Sequence, residues 1–185
     1  MASIARAMMT SASVMTIGDA LTQYNERRLK ADARANANAR ANANANEFEH
    51  DFARSARFAA IGFALHGPFF YHAFRAIDAK MGVGVDAATV MKKVAFAHAT
   101  LFPTYTVAFF ASMRAMEGEW IDIFSERFRS DVVEALVRGS AFWPLANVVN
   151  FAYVPRERRV LWLNACGVGW NAYLSTLVGD SKGNR

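Results

Sequence analysis

Polar side chains recur inside the apolar segments of this chain, and within each segment they fall on one side of a helix. Asn164 and Asn171 are seven residues apart, as are His98 and Tyr105, so each pair returns to the same helical side. Amide, imidazole and carboxylate groups in apolar surroundings either hydrogen-bond between helices or hold water and polar solutes. The nine candidates for such a polar lining are Asp19, Gln23, His66, His98, Tyr105, Asn147, Asn150, Asn164 and Asn171.

Motifs that would carry catalysis or bind a cofactor are missing from the sequence. It contains no Gly-rich phosphate loop, no Cys/His metal spacing and no serine on a nucleophile elbow. His66 and His72 are six residues apart, about 240° around a helix, so the two rings do not face one ligand. We therefore expect no enzyme, no metal and no cofactor. One alternative stays open, in which His66, His72 or His98 binds a metal or a pigment inside a membrane.

The polar side chains lie in segments long enough to cross a bilayer. About 20 residues span a ~30 Å hydrocarbon layer, and segments 132–154 and 160–178 both reach that length. The second segment contains no charged residue, and a basic turn, residues 155–159, separates the two. These features predict a membrane hairpin over 132–178. The basic side chains Arg156, Arg158 and Arg159 are then candidates for the mouth of a solute path.

Earlier segments extend this prediction to the whole chain. We divide it into a first membrane helix over 1–24, which overlaps a possible targeting peptide, a polar Ala/Asn-rich loop over 25–51, and a helix bundle over 52–185. Pro68, Pro103 and Pro144 lie inside apolar segments and predict kinks. The predicted fold class is all-α, a polytopic membrane helix bundle of four to five spans with proline kinks.

Composition supports a membrane protein over a nucleic-acid-binding one. The chain has 185 residues, of which 54% are hydrophobic and 20% charged, with a net charge of +5. The basic residues lie mostly between apolar segments and form no single patch, which suits loops that face anionic lipid. The expected partners are therefore the lipid bilayer and small hydrophilic solutes, with a homo-oligomer as an option and no nucleic acid.

A long mixed motif near the end of the chain resembles a known family. The pattern W-P-x-x-N-x-x-N-F-x-x-V-P-x-x-x-R, followed by W-N-x-Y-L-S, is similar to the signature of the family of the twenty-two-kilodalton peroxisomal membrane protein and the Mpv-seventeen mitochondrial inner-membrane protein. The residues that carry it are Trp143, Pro144, Asn150, Phe151, Val154, Pro155, Arg159, Trp170, Tyr173, Leu174 and Ser175. One departure is that Ala97 and His98 stand where the family has Asp-Gln.

The resemblance implies an integral organelle membrane protein. Members are thought to act as channels that affect organelle solute and redox balance, in the mitochondrial inner membrane or the peroxisomal membrane, with a plastid as a further possibility. The main alternative is that the polar stripes only join helices, since hydrogen bonds between membrane helices are common. In that case the protein is a non-conducting structural or assembly component of the membrane.

Overall fold

The computed structural model describes residues 3–37 and 50–170, and within these ranges all regular structure is helical. Five helices follow one another along the chain. They are α1 (Ile4–Ala37), α2 (Phe52–Ile61 continued through Gly62–His66 and Gly67–Met81), α3 (Ala87–Met116), α4 (Glu126–Ala152) and α5 (described over 159–170). Short 3₁₀ turns, Trp120–Phe124 and Arg156–Arg158, precede α4 and α5. The all-α prediction and the number of helices are confirmed.

The first helix is longer than the sequence predicts. It continues through 25–37, residues that we assign to the polar loop, as far as the chain is described before residue 50. Ala, Arg, Lys, Glu and Leu, which all have high helix propensity, make up most of this stretch and favour continuation of a helix already begun. Residues 38–49 of the predicted loop lie outside the described residues. So do Asn171, Tyr173, Leu174 and Ser175 of the hairpin.

Two of the three internal prolines follow a wide π-helical turn. In α2 the turn is Gly62–His66, two residues before Pro68, and in α3 it is Ala97–Leu101, two residues before Pro103. Proline has no N–H to donate and its ring crowds the preceding turn, so a wider turn relieves the clash. Pro144 lies within α4 without such a turn.

The five helices form a closed ring in which each helix contacts the next. At Gly62 a Cβ atom would lie 2.6 Å from the Ser11 carbonyl oxygen, so α1 and α2 approach with backbones in contact. The remaining neighbours meet through His66 and Tyr105 (α2 with α3), Phe102 and Gly139 (α3 with α4), Trp162 and Ala146 (α5 with α4), and Asn164 and Ser11 (α5 with α1). The described chain therefore runs up and down around a common centre.

Helices α3 and α4 have the length and mean hydropathy needed to cross a membrane. Only 17% of the most apolar window of each is buried inside the protein. A core helix of a water-soluble protein would be mostly buried, so the apolar residues of these two helices face outward, as lipid-facing residues do. Among the described helices, the predicted membrane spans are thus supported for α3 and α4.

Candidate functional site

A cavity of about 200 Å³ lies at the centre of the ring, and all five helices contribute to its wall. Most of the wall is aromatic or apolar, with Phe70, Phe102 and Trp143 among the larger side chains. Four of the nine predicted polar residues also line it, namely His66, Tyr105, Asn147 and Asn164. Residues far apart in the sequence are therefore brought together around one cavity.

Three of these four residues hold a buried polar atom that has no partner in the described protein. His66 is hydrogen-bonded to Tyr105 through Nδ1, at 2.7 Å from the hydroxyl oxygen, while its Nε2 has no partner. Asn147 donates to the Trp143 carbonyl at 3.0 Å, and Asn164 donates to Ser11 Oγ at 3.0 Å. The Oδ1 atoms of both amides are without a partner. The residues of the cavity wall thus include one imidazole nitrogen and two amide oxygens that are buried and that no described group satisfies.

Asp19 and Gln23 lie outside the cavity wall, in a network that joins α1 to α2. Asp19 is 1% exposed and accepts hydrogen bonds from Ser55 at 2.6 Å and from Gln23 at 2.8 Å. Arg54 forms an ion pair with it, with Nε 2.7 Å from Oδ1. A buried carboxylate needs such partners to remain charged. The sequence pattern misses Arg54 and Ser55 because both come from the next helix.

Two other predicted lining residues, Asn150 and His98, are not among the described residues of the cavity wall. Asn150 is completely buried in α4 and neither of its amide atoms has a partner among the described residues. His98 stacks on Phe102, with ring centroids 5.4 Å apart. Asn171 lies outside the described residues, and its assignment as a pore-lining residue stays a prediction.

A cluster of charged residues joins three helices at the end of the ring where α2 ends. Asp78 Oδ1 lies 2.8 Å from Lys93 Nζ, and Oδ2 lies 2.9 Å from Arg159 Nη1 and 3.1 Å from Arg156 Nε. Lys93 is fully buried, and both Lys93 and Arg159 face the ring of Phe151. Two of the three predicted mouth arginines are therefore paired with a carboxylate, and Lys93 is a member of the cluster that sequence reasoning misses.

The signature residues connect the cavity to this cluster. Trp143 lines the cavity and contacts Trp170, and Phe151 packs edge-on against Phe74. Pro155 precedes the 3₁₀ turn that leads to Arg159, whose Nε donates to the Val154 carbonyl at 3.4 Å. The motif therefore turns the chain between α4 and α5 and fixes that turn to Asp78 of α2.

Comparison with known proteins decides which family this is. Residues 114–175 match the model of the Mpv17 / PMP22 family. PXMP2/4 family protein 4 of Dictyostelium discoideum is 33% identical over 70% of this chain and 69% of its own length. The chain belongs to the Mpv17/PMP22 family. Protein sym-1 of Neurospora crassa is another Mpv17/PMP22 relative, 34% identical over 71% of this chain and 75% of its own length.

A further relative covers almost the whole chain. Mitochondrial inner membrane protein Mpv17 of Drosophila melanogaster is 26% identical over 90% of both proteins. No solved structure matches this chain significantly. The family assignment made from the signature is confirmed, and this Mpv17/PMP22 protein is a membrane protein.

The departure at Ala97 lies on the cavity wall. Ala97 lines the cavity and is 3% exposed, at the position where the resemblance places an acid of the family. Among the described lining residues none is Asp, Glu, Lys or Arg. The described wall of this Mpv17/PMP22 protein is thus polar in places but carries no carboxylate, ammonium or guanidinium group.

Proposed function

We propose that this protein is a channel for small hydrophilic solutes in an organelle membrane. The observation that carries the proposal is the closed five-helix ring around a cavity lined by His66, Asn147 and Asn164, each with an unpartnered polar atom. A polar atom left unpartnered in an apolar interior costs about 1–3 kcal/mol. Three such atoms in the residues of one cavity wall favour water or a polar solute as the missing partner.

The chemistry of the wall favours uncharged solutes over ions. An ion that enters loses its hydration, and no charged side chain on the described wall replaces it. A neutral solute instead exchanges hydrogen bonds with water for hydrogen bonds with the two amides and the imidazole, while its carbon skeleton contacts the aromatic rings. No step in this proposal breaks a bond, so the protein is proposed to be a channel and not an enzyme.

The proposed location follows from the relatives. Two of them are named as mitochondrial inner membrane proteins, in Drosophila melanogaster and Danio rerio, and others carry the PXMP2/4 family name. We propose the mitochondrial inner membrane or the peroxisomal membrane. A fluorescent fusion at the C-terminus, with the N-terminus left free, distinguishes the two.

The test measures solute entry into proteoliposomes that contain the purified full chain. Stopped-flow swelling after a glycerol gradient reports neutral-solute flux, and vesicles without protein give the background. Asn147→Leu removes an amide from a lining residue. We expect the swelling rate above background to fall about tenfold, because the solute loses roughly 1.4 kcal/mol of hydrogen bonding in the path. Asn150→Leu is the matched control, three residues along the same helix and outside the wall, and should keep the rate.

A second candidate is a non-conducting component of the membrane. The Asp19 and Asp78 clusters favour it, because both use polar groups to join helices and leave no path through themselves. Wild-type vesicles that swell no faster than empty ones would support this candidate and contradict the channel. The described residues hold no group of three His, Cys, Asp or Glu side chains placed to bind a metal; the alternative of a metal or pigment on His66, His72 or His98 stays a prediction, which visible absorption of the purified protein tests.

A further inference from the structure

The Asp78 cluster carries more positive than negative charge. One carboxylate faces Lys93, Arg156 and Arg159, so the four groups together have a net charge of +2. Lys93 and Arg159 are enclosed, with 0% and 5% of their side chains exposed, whereas Arg156 is 50% exposed. The uncompensated charge is therefore presented to the outside through Arg156.

The same end of the ring is basic beyond this cluster. Residues 75–93 and 156–159, where α2 meets α3 and α4 meets α5, contain seven basic and three acidic side chains. The connection 114–138 at the opposite end contains four basic and six acidic ones. Residues 75–93 and 156–159 thus carry an excess of four positive charges, whereas the α3–α4 connection 114–138 carries an excess of two negative ones.

Large apolar side chains are exposed beside these charges. Val83 and Val85 in the α2–α3 connection are 60% and 63% exposed, and Tyr153 at the end of α4 is 81% exposed. Helices α3 and α4 begin and end here, so this level of the protein is where a membrane helix leaves the hydrocarbon. Apolar and aromatic side chains next to basic ones match the headgroup region of a bilayer, which is apolar below and anionic above.

We propose that this basic end is a binding site for the phosphate of an anionic phospholipid headgroup, held by Arg156 and Arg158 on the turn Arg156–Arg158. The half-exposed Arg156 shares the single charge of Asp78 with Lys93 and Arg159, so the carboxylate neutralises its charge only in part. A phosphate adds the missing negative charge, and guanidinium groups bind its oxygens through paired N–H donors. This proposal stands apart from the channel proposal, because its residues do not line the cavity.

The experiment compares lipids by thermal unfolding of the full chain in neutral detergent. Phosphatidylglycerol and phosphatidylcholine with the same acyl chains are titrated separately, and inorganic phosphate is a third arm. We expect phosphatidylglycerol to raise the unfolding temperature more than phosphatidylcholine, and inorganic phosphate to have little effect. For the double variant Arg156→Gln/Arg158→Gln we expect roughly thirtyfold weaker phosphatidylglycerol binding, because each exposed arginine strengthens binding about fivefold.

Arg129→Gln is the matched control in the α3–α4 connection, where acidic residues outnumber basic ones. The Arg129 side chain is 76% exposed and lies 3.5 Å from Glu126, so the variant removes one exposed arginine from a stretch with no excess of positive charge. It should bind phosphatidylglycerol as the wild type does. Equal shifts from the two phospholipids, equal binding by the double variant, or the same shift from inorganic phosphate alone would each overturn the proposal.

Discussion

The substitution Asp78→Asn tests whether the shared carboxylate holds α2, α3 and α5 together. Asparagine keeps the shape of the side chain but removes the charge that Lys93 and Arg159 share. Breaking a buried ion pair by removing one partner costs about 3–5 kcal/mol, because the other charge stays buried without compensation. Both cations depend on one carboxylate, so their losses do not simply add. The half-exposed Arg156 pair contributes at most about 1 kcal/mol.

We therefore expect Asp78→Asn to lower the free energy of unfolding by about 3–5 kcal/mol. At about 2–4 °C per kcal/mol for a chain of this size, the unfolding temperature should fall by roughly 10 °C in detergent micelles. The control is Glu134→Gln, which breaks the ion pair with Arg138. The Glu134 side chain is 56% exposed and the Arg138 side chain is 44% exposed. This exposed pair should contribute under about 1 kcal/mol. If both variants lose the same small amount, the cluster does not join the helices as we argue.

Two further outcomes follow from the helix contacts and from a helix cap. Gly62→Val should lower stability by about 1–3 kcal/mol in the same unfolding assay, because the added atoms meet the backbone of α1. Gly169→Ala is its control and should be neutral or stabilising, since a Cβ there meets no described atom within 4 Å. At the start of α3, the hydrogen bond from the Thr89 backbone N–H lowers the pKa of the Asp86 carboxyl. This cap should hold above the ordinary Asp pKa of about 3.9 and weaken as the pH falls through the lowered value, so that the protection factors for hydrogen exchange, which correct for the intrinsic rate at each pH, fall in the first turn of α3. Asp86→Asn should remove that pH dependence, and unchanged protection factors between pH 5 and pH 2 in the wild type would count against the cap.

The sequence alone predicts the kind of fold well, because the segment lengths and apolar runs are local properties. Four of the nine predicted polar residues are among those that line the cavity, namely His66, Tyr105, Asn147 and Asn164, whereas His98, which the spacing places on the same helical side as Tyr105, is not. The continuation of α1 through 25–37 is not predicted, because a polar, low-complexity stretch favours a solvated loop.

Partners from different helices are what the sequence does not predict. Within α2, the spacing of Arg75 and Asp78 suggests a local pair, yet Arg75 donates to the Tyr71 hydroxyl at 3.3 Å and Asp78 pairs with Lys93. Local spacing shows which side of a helix a residue occupies, and only the packing of helices decides which residue of another helix it meets. A lysine within an apolar stretch, such as Lys93 between Val90 and Val94, is the one feature of the local sequence that indicates a charged partner on another helix.

The central claim, that the ring surrounds a path open to hydrophilic molecules, is tested most directly by cysteine labelling in proteoliposomes. Cys166, the only cysteine of the chain, is first replaced by Ser, and Asn147→Cys and Asn150→Cys are then made separately in that background. A small hydrophilic methanethiosulfonate reagent should modify the first variant and leave the second unmodified, because only residue 147 lines the cavity. Equal protection of both thiols in folded protein would contradict the claim.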